Sequence, residues 1–155
     1  MMRLKFVWPG RTRNREWRLL QDIYLERIRQ IEACELIETK EARGLKDREA
    51  KKIRELEAKG LERHLRDDYI ICLSEKGKEM SSEDFAGLVG RLADMPRPVT
   101  FVVGGFAGLA PRVLSRASLL LSLSRMTFSH ELIRVALLEQ VYRVLTVRKG
   151  MHYAK

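Results

Sequence analysis

Three stretches of the sequence set chemically versatile residues at short, regular spacing. Gly104-Gly105-Phe106-Ala107-Gly108-Leu109 follows directly on the apolar run Val99-Thr100-Phe101-Val102-Val103. Glycines let a backbone turn sharply, adopt positive φ, and bring its N–H and C=O groups close to a ligand. The same spacing also suits a tight strand-to-helix connection. It is not a dinucleotide fingerprint, which places GxGxxG after the opening strand and an acidic residue about 20 positions later. The second stretch, Leu123-Ser124-Arg125-Met126-Thr127-Phe128, follows another apolar run, Ser118–Leu123. In the third, His130 and Arg134 stand four residues apart and so share a helix face, an imidazole that titrates near neutrality beside a permanent cation. Such a pair can position a base or phosphate and stabilise developing charge, or His130 can simply pack at a helix start. Glu139 and Arg143 repeat the spacing and read as a structural ion pair.

Other chemistries are excluded or disfavoured by count and spacing. Cys34 and Cys72 each lie within an apolar run and read as buried small hydrophobes rather than a disulfide. His64, His130 and His152 form no ligand pairs with them, so no metal is expected. No apolar run reaches the ~20 residues of a membrane helix, so no membrane association is expected. Met1 to Gly10 lacks the apolar stretch and small-residue cleavage site of a signal peptide, which makes a cytoplasmic location the expectation.

The 155 residues suit a single domain spanning 1–155, with 45% hydrophobic and 33% charged residues, as in folded proteins generally. A formal net charge of +9 is a footprint of polyanion binding, or of a protein that is merely basic. Arg11, Arg13, Arg15 and Arg18, with Lys40, Arg43, Lys46 and Arg48, are available as phosphate contacts or as a solvated surface.

The elements that must position these residues alternate along the chain. Leu4, Phe6 and Trp8 alternate with Arg3 and Lys5, a strand signal closed by Pro9-Gly10. Trp17, Leu20, Tyr24, Ile28 and Ile31 recur at helical spacing from Asn14. A short strand at 34–38 and a charged helix over 47–65, with a break near Gly60, come next. Tyr69 to Leu73 and Val99 to Val103 are continuous apolar runs of the kind buried in parallel sheets. Between them, Ser81 or Ser82 caps a helix that stops before Pro96. A short helix at 111–117, a strand at 118–123 and a long helix at 131–146 complete a β-α-β-α-β-α-β-α-β-α order. That order specifies an α/β fold with a mostly parallel sheet covered by helices on both faces.

The run from Ser122 to Arg143 closely resembles the SLSxxTxxHxLxRxxLxEQxYR signature of the ribosomal RNA large-subunit methyltransferase H family, within the SPOUT superfamily. Val102 to Leu109 is similar to that family's (I/V)GGxxGL loop. Leu73 to Lys78 and Ser81-Ser82-Glu83-Asp84-Phe85-Ala86 resemble two further segments, and the likeness covers essentially the whole chain. It implies a SPOUT-type α/β knot, a deep C-terminal trefoil knot whose loops bind S-adenosyl-L-methionine. It also implies a homodimer that methylates N3 of a pseudouridine in large-subunit ribosomal RNA, on the free RNA or the assembled ribosome. Leu73, Gly104, Gly105, Gly108 and Leu123, Ser124, Arg125, Met126, Thr127 and Phe128 would hold the cofactor. His130, Arg134, Arg143 and Tyr153 would serve the reaction. The tail departs from the pattern: His152 stands for proline, Ala154 for histidine, and Ser74 for a common aspartate. A knotted RNA-binding relative without transfer activity is the alternative these departures leave open.

Overall fold

The computed structural model of the chain describes residues 2–153. Met1, Ala154 and Lys155 lie outside them, and with Ala154 the departure noted at that position. Five strands and five helices alternate: β1 (Arg3–Pro9), α1 (Arg15–Arg29), β2 (Ala33–Thr39), α2 (Ala50–Glu62), β3 (Tyr69–Glu79), α3 (Ser82–Ala93), β4 (Val99–Val102), α4 (Pro111–Leu114), β5 (Leu119–Ser122) and α5 (His130–Arg148). The sheet runs β2-β1-β4-β3-β5 with every pairing parallel.

Strand alternation divides the apolar side chains between two cores. Phe6, Ile71, Phe101 and Leu121 face one side with Ile28 of α1, Val89 of α3 and Leu138 of α5. Val7, Ile70, Cys72 and Val102 face the other, against Leu61 of α2 and Val113. The result is a three-layer α/β/α arrangement, as expected for continuous apolar strands. Phe6 and Phe101 stack at 5.3 Å between ring centroids, joining neighbouring strands in the larger core.

Helix starts follow local chemistry. Asn14 Oδ1 accepts from the Trp17 N–H at 2.9 Å, Ser81 Oγ from Asp84 at 3.0 Å and Ser129 Oγ from Leu132 at 3.2 Å. Each satisfies a backbone donor that the first helical turn cannot.

Three local expectations need correction. α2 runs through Gly60 unbroken, because its stripe of Ile53, Ala58 and Leu61 packs on the sheet and outweighs the modest cost of one glycine. Cys34 is half-buried rather than buried, while Cys72 is fully enclosed. β3 does not end at Leu73. Leu73 and Lys78 both pair with Leu121, and Glu79 pairs with Ser122, so residues 74–77 form an excursion bracketed by the ladder. Gly77 makes this possible, since a Cβ there would lie 2.7 Å from the Leu120 carbonyl carbon.

Candidate functional site

Parallel sheets present ligand sites beyond the carboxyl ends of their strands. Here the ends of β3, β4 and β5 open into a cleft of about 490 Å³. Of the ten residues expected to hold a cofactor, nine line it: Leu73, Gly104, Gly105, Gly108, Leu123, Ser124, Met126, Thr127 and Phe128. Arg125 does not. Its side chain is 83% exposed and pairs outward with Glu79 at 3.3 Å, so only its backbone belongs to the loop.

The glycine loop is shaped by close approach. The chain reverses so that the Gly108 N–H donates to the Gly105 carbonyl at 3.0 Å, with Gly108 at φ +82. A Cβ on Gly104 would lie 2.6 Å from the Gly108 carbonyl carbon, which no side chain could relieve. Arg54 of α2 donates to the Ala107 carbonyl at 3.2 Å and pins the loop from outside.

Hydroxyls fix the two facing loops. Ser122 Oγ donates to the Ser124 carbonyl at 2.9 Å and reaches the Glu75 carbonyl at 3.3 Å. Ser124 Oγ accepts from the Met126 N–H and Ser74 Oγ from the Lys76 N–H, two short turns that replace ladder bonds. Thr127 Oγ1 donates to Glu75 Oε2 at 2.7 Å across the cleft rim. Met126 and Phe106 stand 73% and 63% exposed at the mouth, apolar surface free to cover a ligand.

The four residues expected to serve a reaction are not gathered in one place. His130 lines the cleft at the first turn of α5. Burial, then the Arg134 cation, hold its imidazole below the usual histidine range, so it is neutral at neutral pH. Arg134 is a correction. Its side chain is fully buried under the end of β1, where it donates to the Pro9 carbonyl at 2.7 Å, the Gly10 carbonyl at 3.3 Å and Thr12 Oγ1 at 3.2 Å. It also lies over the Trp8 ring at 5.0 Å. Desolvation lowers its pKa to about 10, leaving it charged at neutral pH but unable to meet a phosphate outside. Its neighbour Glu131 is pushed up by burial, but hydrogen bonds from the backbone N–H groups of Arg13 and Asn14 outweigh that and hold its carboxyl below the usual range.

Arg143 and Tyr153 sit together elsewhere. Tyr153 Oη donates to Glu139 at 3.0 Å and lies 3.1 Å from Tyr24 Oη, while Arg143 pairs with the same Glu139 at 3.0 Å and lies over the Tyr153 ring. The Glu139 hydrogen bond raises the Arg143 pKa, and burial, with bonds to Tyr24 and Glu139, raises that of Tyr153. A second groove, of about 480 Å³ between α1, α3 and α5, separates this cluster from the cleft and shares Leu123, Phe128 and Ile133 with it.

A family model described as "Predicted SPOUT methyltransferase" matches residues 2–154. The chain belongs to the SPOUT methyltransferase family. It is 33% identical to the ribosomal RNA large subunit methyltransferase H of Caldicellulosiruptor saccharolyticus, over 98% of this chain and 99% of that one. It is 37% identical to the protein of the same name from Thermodesulfovibrio yellowstonii, over 99% of each. A crystal structure of a probable methyltransferase from Bordetella pertussis has the same fold, with a TM-score of 0.56 at 15% identity, covering 93% of this chain and 96% of that one.

Sequence reasoning missed parts of the SPOUT cleft that only the fold assembles. Arg54 comes from α2, and no spacing links it to the glycine loop; Glu75 lies in the Leu73–Lys78 stretch, where the strand end is expected but its return to the ladder is not. Glu57 of α2 lies beneath Gly105, where a Cβ would come within 3.1 Å of its Oε1. Burial raises the Glu57 carboxyl, and the bond from the Ala42 N–H at 3.1 Å opposes the rise. Among the described residues, no three His, Cys, Asp or Glu side chains gather into a metal-holding group. No described helix is long and apolar enough to cross a membrane.

Proposed function

We propose that this SPOUT protein is an S-adenosyl-L-methionine-dependent methyltransferase that modifies N3 of a pseudouridine in large-subunit ribosomal RNA. The observation that carries the reading is the cleft where the β3 excursion, the glycine loop and the 123–128 loop converge, in a chain alike from end to end to proteins named for that RNA. The cytoplasm, where ribosomes are, is the place the reading implies, with 1–155 as one functional domain.

The residues present fit the cofactor. A volume of about 490 Å³ is in the range of small-molecule sites. Leu73, Leu109, Leu123 and Met126 supply apolar surface for an adenine ring, and backbone groups of residues 104–108 and 123–128 supply donors and acceptors for its edge. The bound cofactor would supply an electrophilic methyl on a sulfonium. Methyl transfer depends on alignment, so the work of these loops is to hold both reactants rigidly. The neutral His130 imidazole on the cleft wall can accept the N3 proton or hydrogen-bond the developing anion.

A homodimer is part of the reading. Arg143 and Tyr153 lie apart from the chain's own cleft, and the apolar groove between them and the cleft, flanked by Leu20 (41% exposed) and Phe128 (45% exposed), suits a second copy. The Arg143–Tyr153 cluster of one protomer would then complete the cleft of the other. The trefoil knot is also part of it, carried by the resemblance of the Ser122–Arg143 run and by the match of the whole chain to the SPOUT family.

Titration calorimetry with S-adenosylmethionine, followed by transfer of a tritiated methyl to purified ribosomes, tests the reading. Micromolar binding and stoichiometric transfer are expected. Binding without transfer would instead mark a non-catalytic RNA-binding relative.

A further inference from the structure

A concentration of positive charge lies where β1 and β2 end. Arg11 and Arg13 of the β1–α1 loop, Arg18 of α1 and Arg43 of the β2–α2 segment line a cavity of about 330 Å³. Its lining consists of these four arginines alone. One carboxylate, Glu41, pairs with Arg13 and stands 4.0 Å from Arg43. Among the described residues, Arg11 and Arg18 make no ion pair and no side-chain hydrogen bond. Among these residues one carboxylate therefore serves four guanidinium groups and leaves Arg11 and Arg18 unpaired; the remaining like charges repel one another, and a polyanion relieves that repulsion.

The arrangement is built rather than incidental. Arg134 holds the carbonyls of Pro9 and Gly10 and the Thr12 hydroxyl, and Glu131 holds the N–H groups of Arg13 and Asn14. Both belong to α5, whose His130 lines the donor cleft. The loop bearing Arg43 is tied in by Glu57, which accepts from the Ala42 N–H and lies under Gly105. Each arginine-bearing loop is therefore one carboxylate away from the cleft wall.

We propose that this concavity binds the sugar-phosphate backbone of the substrate RNA and fixes where the target nucleotide enters the cleft. The proposal rests on the rRNA methyltransferase reading. Guanidinium groups match phosphate oxygens in a two-pronged geometry. The lining side chains offer guanidinium donors and no acceptor, which suits phosphate oxygens whatever the sequence, so the site positions the RNA backbone. Arg134 and Glu131 are positioning residues for it.

The test compares the full chain with an Arg11→Gln/Arg13→Gln/Arg18→Gln/Arg43→Gln variant, in filter binding to purified ribosomes across a potassium chloride series. A second variant, Arg11→Gln/Arg18→Gln, removes only the two groups that hold nothing else. The quadruple variant should bind ribosomes roughly 10- to 100-fold more weakly, with its log–log salt slope reduced by about 3, while affinity for S-adenosylmethionine is unchanged. The double variant should show about half the slope change, and lysine at both positions should restore the slope. A merely structural role would lower thermal stability and leave the slope alone. Wild-type binding and transfer with an unchanged slope in both variants would overturn the site and leave the methyltransferase reading standing. Arginine-dependent ribosome binding without transfer would do the reverse.

Discussion

The donor cleft and the arginine concavity lie beyond the carboxyl ends of different strands of one sheet, and they are made differently. The cleft is made of backbone: Gly104 fits only because nothing projects from it toward Gly108, and the hydroxyls of Ser122 and Ser124 hold peptide groups in turns. The concavity is made of four long side chains from three segments: Arg11 and Arg13 on a loop held from beneath by Arg134 and Glu131, Arg18 on α1, and Arg43 on a segment tied to Glu57. Backbone sites fail at single methyl groups, whereas sites of flexible cations lose strength one charge at a time. Specificity for a small cofactor suits the first construction, and attraction to a long polyanion suits the second.

The sharpest way to break this contrast is Arg134→Met. Three acceptors would be left without a donor beneath the concavity, and stability should fall by about 3 kcal/mol in urea unfolding. Loss of less than ~1 kcal/mol would mean that water replaces the guanidinium and that the support is dispensable. Gly104→Ala should weaken S-adenosylmethionine binding by about 100-fold in calorimetry while ribosome affinity holds, because the loop must shift to relieve a 2.6 Å approach. Equal damage to both ligands would erase the distinction between the two sites.

A subtler effect concerns pH. The pKa of His130 is lowered by burial and by Arg134, so its neutral form persists into more acidic solution than for a free histidine. If it accepts the proton, the acid limb of kcat/KM should lie below 6.5, the ordinary histidine value, and vanish in His130→Gln. A limb above that value would assign the proton to another group. Least of all, Arg43→Lys, at a side chain 79% exposed, should leave the salt slope unchanged, since the charge remains, and weaken ribosome affinity by only about two- to threefold for the lost two-pronged fit.

Much of this architecture was legible because local and global signals agree. The unbroken apolar runs at Tyr69 and Val99 are buried on both faces, and Asn14 and Ser81 cap the helices they precede. What escaped depends on partners distant in the chain. The polar residues after Leu73 look like a strand end, and only β5 recruits Lys78 and Glu79 back to the ladder. The four-residue spacing of His130 and Arg134 correctly gives one helix face. It does not say that the face tilts inward, putting the first side chain on a cleft wall and the second under the end of a strand. Glu57 reads as one charge among many on α2 until the glycine loop is folded over it.

The double pairing of Leu121 has a consequence for how the protein opens. One wall of the cleft, residues 74–77, is hydrogen-bonded into the sheet just before and just after itself, with Gly77 wedged against the neighbouring strand. Such a segment cannot swing as a flap. Traffic of the cofactor must therefore pass the opposite side, where Phe106 and Met126 stand in solvent, and amide exchange should be slow along the first wall and fast along the second.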